Sequence, residues 1–260
     1  MVPEGETSYV DLVHDPGHGV KSSNPNIASI AKSPSGSSQF RTEYHITGKS
    51  AGQTFIQVAG SPVRLDVRVK IKLSYEVAFF FIKNPIYGRS RRDPRIASAV
   101  VGHLNSIYSK QTNVEFRLGG VQTDVEVGTD MDTILYEKRH GPHDRRKPSV
   151  LYKLHLDLDG ASDINVVFMP WDGTRSTDSP AVITEKYGPC VISDEMADGF
   201  VLPALGHGVG RALGCDETAD DRRELHLMFW ERAEGLGGAT GDFLPKVDVQ
   251  VLNPDYGGGW

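Results

Sequence analysis

A single histidine stands in a stretch whose spacing is typical of a helical zinc site. Residues 205–217 read LGHGVGRALGCDE, and His207 is the histidine of that stretch. A zinc hydrolase helix needs two histidines four residues apart to hold the metal, and a glutamate beside the first to deprotonate the bound water. Gly208 stands where that glutamate would be, and Arg211 stands where the second histidine would be. The stretch keeps one ligand and lacks the base.

The residues that follow extend the same pattern. Gly214 stands where the longer zinc motif has a turn glycine, Glu217 stands at the place of its third histidine, and Met228 lies where a methionine turn follows. A guanidinium cannot ligate a cation, and a positioned general base is worth about 10²- to 10⁴-fold in rate. We therefore expect no catalytic residue, no cofactor and no bound zinc. If a metal binds, His207 with Glu217 or Asp216 would hold it.

With these motif positions, residues 73–250 resemble the metzincin-like zinc peptidases, or zincins. The strand-like runs YEVAFFFI (75–82) and INVVFMP (164–170) follow the order of that family's catalytic domain. The resemblance implies an α+β domain with a twisted mixed sheet and an active-site-type helix. Because the base and two ligands are missing, it also implies a pseudopeptidase. Such a domain would hold a protein or peptide in its cleft, by strand addition along an edge strand near 181–193.

Alternatives to this interpretation stay open. One is an active zinc metallopeptidase or hydrolase toxin with rerouted ligands, in which zinc is held by His207 with Asp216, Glu217 or His226. Another is an inactivated form of an active toxin. In the pseudopeptidase, Arg211 could pair with Glu217 or Asp216 in the place of the metal, or it could point into solvent.

The first seventy residues predict short strands separated by turns. RTEYHITG (41–48), QTFIQVAG (53–60) and VRLDVRVKI (63–71) are alternating runs typical of a β-sandwich. In the last run the odd-numbered residues from Val63 to Ile71 are apolar and predict a core face. The even-numbered residues from Arg64 to Lys70 predict a face in water.

The segments SSNPNIASI and ITGKSAGQTFIQV, within residues 1–72, resemble a bacterial immunoglobulin-like domain. The resemblance implies an adhesive or spacer module without chemistry of its own. We therefore predict two domains of an α+β protein: an immunoglobulin-like β-sandwich over 1–72 and a metzincin-like domain over 73–260.

Apolar periodicity places the elements of the second domain. Residues 93–111 and 130–139 predict helices, and the pair AVITE and CVISD predicts a hairpin before the motif helix. LHLDLDG (154–160) predicts a strand that ends in a polar turn, since a calcium loop would need a glutamate at its twelfth position. Pro203 is expected at the first position of the motif helix.

Composition narrows the function classes. A net charge of −6 argues against a nucleic-acid partner, and no apolar run is long enough to span a membrane. The first residues lack the pattern of a signal peptide. We expect an extracytoplasmic location, reached without a signal peptide or as part of a longer chain, and a larger secretion or phage-tail-like assembly as a candidate partner. Cys190 and Cys215 are too few for a disulfide framework, although they could pair with each other.

Overall fold

The chain is a mixed α+β protein that divides into two compact units. The first unit contains Met1–Leu73 and Asn253, and the second runs from Ser74 to Leu252. The sequence assigned Asn253 to the second domain. The computed structural model describes ten stretches of chain: 1–14, 17–37, 41–140, 149–158, 162–170, 183–184, 188–194, 196, 198–215 and 252–253.

The first unit is built from β-strands in two sheets. Strand β1 pairs parallel with β7, and the other strand pairs of this unit are antiparallel. One sheet has the order β1-β7-β6-β3 and the other the order β2-β5-β4. The strands are β1 (Val2–Pro3), β2 (Thr7–Leu12), β3 (Val20–Ser22), β4 (Ala28–Ser37), β5 (Thr42–Gly48), β6 (Gly52–Val58) and β7 (Arg64–Lys70).

Strands of both sheets contribute to one core, because alternate side chains of each strand point inward. This core contains Val2, Ala28, Ile46, Ile56, Val67 and Val69. The core face that the sequence predicts for residues 63–71 is only partly buried, because Val63 is 72% exposed and Leu65 is 37% exposed. Both residues border an open slot between the sheets.

The position of Lys70 contradicts the prediction that the even-numbered residues from Arg64 to Lys70 face water. Its side chain is buried, and its Nζ donates a hydrogen bond of 2.5 Å to the carbonyl oxygen of Asn253. The Asn253 side chain in turn donates from Nδ2 to the carbonyl oxygen of Ile71 at 2.9 Å. Alternation along β7 could not indicate that a residue 183 positions downstream covers the lysine.

The second unit consists of a central sheet and helices. Its strands are β8 (Leu73–Asn84), β9 (Gly88–Arg89), β10 (Val114–Glu126), β11 (Ile164–Met169), β12 (Ile183–Thr184) and β13 (Cys190–Ser193). Its helices are α1 (Ile96–Thr112), α2 (Met131–His140), α3 (Val150–Asp157) and α4 (Asp198–Ala212). No helix among the described residues combines the length and apolarity that a membrane crossing requires.

The sheet has the order β10-β8-β11-β13-β12, with β9 paired to β8. Strands β8, β11 and β13 run parallel, and β12 runs antiparallel to β13 at the end of the sheet. Every residue of β11 and β13 is buried, as is the middle of β8. One face packs on α2 and α3, and Phe81 stacks on Phe168 on the other face, with ring centroids 4.9 Å apart.

Helix α3 corrects the predicted strand at 154–160. The side chain of Ser149 caps its first turn by accepting a hydrogen bond from the Tyr152 backbone at 3.1 Å. Leu151, Leu154 and Leu158 are buried in the core. Their spacing of three and four residues is that of one helix face, whereas alternate leucines had indicated a strand.

Candidate functional site

Helix α4 carries the motif stretch and is buried over most of its length. Residues 204–210 are all buried, and the helix packs against α1, β12 and β13. Glycines at 206, 208 and 210 each lower helix stability by about 1 kcal/mol relative to alanine. The burial of α4, rather than the helix propensity of its residues, therefore stabilises it.

The start of α4 differs from the prediction made from Pro203. The helix begins at Asp198, so that Pro203 lies inside it. A proline has no N–H to donate, and the carbonyl of Gly199 consequently loses its usual helical partner. Sequence reasoning missed the first turn because a proline is more common at the first position of a helix than in its interior.

Arg92 connects the segment before α1 to the start of α4. Its Nη2 donates to the carbonyl oxygen of Asp194 at 3.1 Å, and its Nη1 forms an ion pair with Asp198. The Asp194 carboxylate accepts hydrogen bonds from the Ser90 hydroxyl at 2.8 Å and from the backbone N–H of Arg91. Burial nevertheless raises the pKa of Asp194 above its ordinary value. This network connects the residues before α1 with Asp194 and with the start of α4, and no pattern in the sequence indicates it.

His207 and Arg211 lie four residues apart on α4, so that both side chains share one helix face. His207 is buried, with 3% of its surface exposed, and Arg211 is half-buried. Gly208 is buried and brings no carboxylate to this region. The helix therefore places one imidazole and one guanidinium where a zinc helix places two imidazoles.

The end of α4 has the geometry of a Schellman cap. Gly214 adopts a φ of +100°, its N–H donates to the carbonyl of Arg211 at 2.9 Å, and the N–H of Cys215 donates to the carbonyl of Gly210 at 2.9 Å. The guanidinium of Arg211 contributes a further hydrogen bond, from Nη1 to the carbonyl oxygen of Cys215 at 2.9 Å. Gly214 turns the chain sharply, and Arg211 holds the chain after the turn against the helix.

Tyr108 of α1 also contacts the motif helix. Its hydroxyl donates a hydrogen bond of 2.6 Å to the carbonyl oxygen of Gly206, and its ring is completely buried. The ring lies edge-on to Phe116 at 5.2 Å. Apolar periodicity predicted the buried face of α1, but it could not indicate that one member of this face would hydrogen-bond to α4.

The neighbouring strands provide an edge beside α4. Ile183 pairs with Val191 and Thr184 with Cys190, and β12 is the last strand at this end of the sheet among the residues that the structure describes. Cys190 and Cys215 are both buried thiols, not a disulfide. Burial raises the pKa of the Cys190 thiol, so that this thiol is poorly suited to act as a nucleophile.

Several motif positions lie outside the described residues: Asp216, Glu217, His226 and Met228. Within the described stretches, no group of three or more His, Cys, Asp and Glu side chains could hold a metal ion. The side chains at the described motif positions do not fit a catalytic zinc. The Arg211 guanidinium has N–H groups that donate hydrogen bonds, and it has no lone pair that could bind a metal ion.

The solved structures to which this chain is similar, at low identity, include zinc peptidases. An archaemetzincin from Methanopyrus kandleri has a TM-score of 0.40 at 12% identity, over 70% of this chain and 93% of that chain. A zinc-dependent peptidase from Methanocorpusculum labreanum has a TM-score of 0.36 at 12% identity, over 68% of this chain and 100% of that chain.

A second group of similar structures consists of fragments of the S-layer protein SbsC. Its domains 4 and 5 match with a TM-score of 0.22 at 19% identity, over 27% of this chain. The chain spans 45% of the length of that fragment and 12% of the length of the fragment with domains 1–6. No family model matches the chain, and no curated protein matches it.

Proposed function

We propose that the second unit is a metzincin-like pseudopeptidase, which binds a protein or peptide without cleaving it. The observation that carries the proposal is the hydrogen bond from Arg211 Nη1 to the Cys215 carbonyl. Arg211 stands at the position of the second zinc ligand, and this hydrogen bond makes its side chain part of the cap at the end of α4. With Gly208 at the position of the base, the motif helix keeps its turn but lacks a metal-binding pair and a proton acceptor.

The end of the sheet beside α4 supports peptide binding. Strand β12 is paired on one side only among the described residues, and it packs next to α4. An extended peptide could add to this edge through backbone hydrogen bonds, and this mode of binding needs no catalytic group. The domain would then be a binding module that keeps the substrate groove of a peptidase.

We propose in addition that the first unit is an immunoglobulin-like β-sandwich and that the protein acts outside the cytoplasm, as a module of a larger secreted assembly. The two sheets with a common core support the first part. The resemblance of residues 1–72 to bacterial immunoglobulin-like domains supports the second. Fractionation of the native cells with an antibody against the first unit tests the location.

Zinc content and proteolysis test the main proposal. Protein purified without chelators should contain no stoichiometric zinc by elemental analysis, and unfolded casein should be bound but not cut. The matched control is the triple variant Gly208→Glu, Arg211→His, Glu217→His, which restores the zinc motif and should bind zinc. Stoichiometric zinc together with casein cleavage by the unmodified chain would contradict the proposal and favour the hydrolase with rerouted ligands.

A further inference from the structure

Lys70 and Asn253 place an amine and a carboxamide side by side in the first unit. The Nζ of Lys70 donates a hydrogen bond of 2.5 Å to the backbone carbonyl oxygen of Asn253. The Asn253 side chain donates from Nδ2 to the carbonyl oxygen of Ile71 at 2.9 Å. Because Ile71 directly follows Lys70, the backbone carbonyl and the side chain of Asn253 both contact the same short segment of chain.

Water has almost no access to either side chain. Lys70 is 3% exposed and Asn253 is 0% exposed. A charged amine is costly to keep away from water, even where a hydrogen bond offsets part of the cost. A reaction that turns this amine into a neutral group would therefore be favourable here, and burial would protect its product from hydrolysis.

An amine next to a carboxamide can form an amide bond with it. The Cγ atom of Asn253 belongs to the same residue as the carbonyl that Nζ contacts, so that rotations about side-chain bonds are enough to bring Nζ and Cγ together. Groups that are held together in this way react much faster than the same groups on separate molecules.

We infer that Lys70 and Asn253 become joined by an isopeptide bond after the chain has folded. The bond from Nζ to Cγ forms, and the bond from Cγ to Nδ2 breaks. Nδ2 takes two protons from the lysine ammonium group and leaves as an ammonium ion. Atoms and charge balance without a further reactant, and the product is a neutral amide.

The residue after Asn253 restricts the competing reactions. An asparagine also loses ammonia when the backbone nitrogen of the next residue attacks its Cγ. Residue 254 is a proline, whose nitrogen carries no hydrogen and cannot close this ring. Attack by the Lys70 amine is therefore the route to loss of ammonia that the contacts of Asn253 favour.

The bond would connect two positions that are 183 residues apart. A cross-link restricts the unfolded chain and stabilises the folded one, in addition to the hydrogen bond that the structure shows. It would fix the end of β7 permanently to the segment at Asn253. The inference concerns the first unit and does not depend on the function proposed for α4.

Intact-mass spectrometry of the full chain tests the inference. After incubation at physiological temperature until the mass is constant, the folded chain should be about 17 Da lighter than its sequence, because one ammonia is lost. Trypsin should then release a branched peptide in which residues 69–72 are joined to residues 247–260, because a modified Lys70 is no longer cut. A chain incubated in urea should keep its full mass, since unfolding separates the two groups.

Variants test whether both side chains are required. Lys70→Arg keeps a charged donor for the Asn253 carbonyl, but its guanidinium stays protonated and cannot form the bond. It should keep its full mass, as should Asn253→Ala, which lacks Cγ. Lys72→Met is the matched control, because it removes an exposed lysine beside Lys70 and should still lose about 17 Da. Circular dichroism should show native structure for all three variants.

Three results would overturn the inference: a folded unmodified chain that keeps its full mass, a loss of ammonia without the branched peptide, or the same loss in Lys70→Arg. Cleavage of the chain after Asn253 would also contradict it. That product would mean that Nδ2 attacks the carbonyl carbon of its own residue and that Lys70 only polarises this carbonyl.

Discussion

The two units bury their sheets in different ways. Strands β11 and β13 of the second unit are buried at every position, whereas β2 and β5 of the first unit alternate between inward and outward residues. Sheets with helices on both faces are apolar throughout, and sheets with one face in water alternate. The second unit therefore has a sheet that is buried on both faces, while the first has strands with one face in water and a slot beside Val63 and Leu65.

The largest difference between the units should appear in core truncations. Phe168→Ala, in the sheet of the second unit that is buried on both faces, should lower the free energy of unfolding by about 3–5 kcal/mol. Ile56→Ala, at the border of the slot, should cost about 2 kcal/mol, because water can enter beside the new methyl group. Urea denaturation followed by circular dichroism measures both values. Equal costs would mean that the first unit is as tightly closed as the second.

The next effect concerns the buried cation of the first unit. Lys70→Met keeps most of the volume of the side chain but removes the donor to the Asn253 carbonyl. We expect a loss of about 2 kcal/mol in the stability of the first unit, because a hydrogen bond from a charged group is lost and a carbonyl is left without it. Thermal unfolding of Lys70→Met beside Lys49→Met, an exposed control, checks this expectation.

The second unit offers the corresponding test at Arg211. If its main role is the hydrogen bond to the Cys215 carbonyl, Arg211→Ala should cost about 1 kcal/mol. A buried ion pair with Asp216 or Glu217 would instead raise the cost to about 3–5 kcal/mol. Chemical denaturation of Arg211→Ala, of Glu217→Gln and of the double variant distinguishes the hydrogen bond from an ion pair with Glu217, because only an ion pair makes the two changes non-additive.

The smallest expected effect is a dependence of stability on pH. Burial raises the pKa of Asp194 above the ordinary 3.8, so that the unfolded chain loses this proton at a lower pH than the folded one. The free energy of unfolding should therefore fall as the pH rises from about 3.8 through the raised value. In Asp194→Asn this fall should be absent. Denaturation midpoints from about pH 3 to 6 measure it, with Asp157→Asn as the exposed control, and an unchanged profile would contradict the expectation.

The elements that sequence predicts well are those whose packing is local. Alternation predicted strands at 41–48, 53–60 and 63–71, and the structure has β5, β6 and β7 there. Helix periodicity likewise predicted α1 and α2. The strand predicted at 154–160 was wrong, because Leu154 and Leu158 also lie on one helix face together with Leu151, while Leu156 is exposed. Ser149 caps the first turn of this helix.

The candidate site was predictable in its spacing but not in its contacts. The motif alone placed His207, Gly208, Arg211 and Gly214 on and after one helix. Hydrogen bonds from Tyr108 to Gly206 and from Arg92 to Asp194 join residues about a hundred positions apart, and no local pattern indicates them. The predicted roles of Glu217 and Met228 stay predictions, since both residues lie outside the described part of the chain.

The contact between Lys70 and Asn253 bears on protein synthesis. A ribosome that adds about 5–20 residues per second needs roughly 9–37 s to make the 183 residues that separate the two. During that time the strands of the first unit can already pair, but the ammonium group of Lys70 stays in water. Residues 1–73 therefore leave the ribosome before the second unit, yet Lys70 acquires this hydrogen bond only after the second unit has been synthesised.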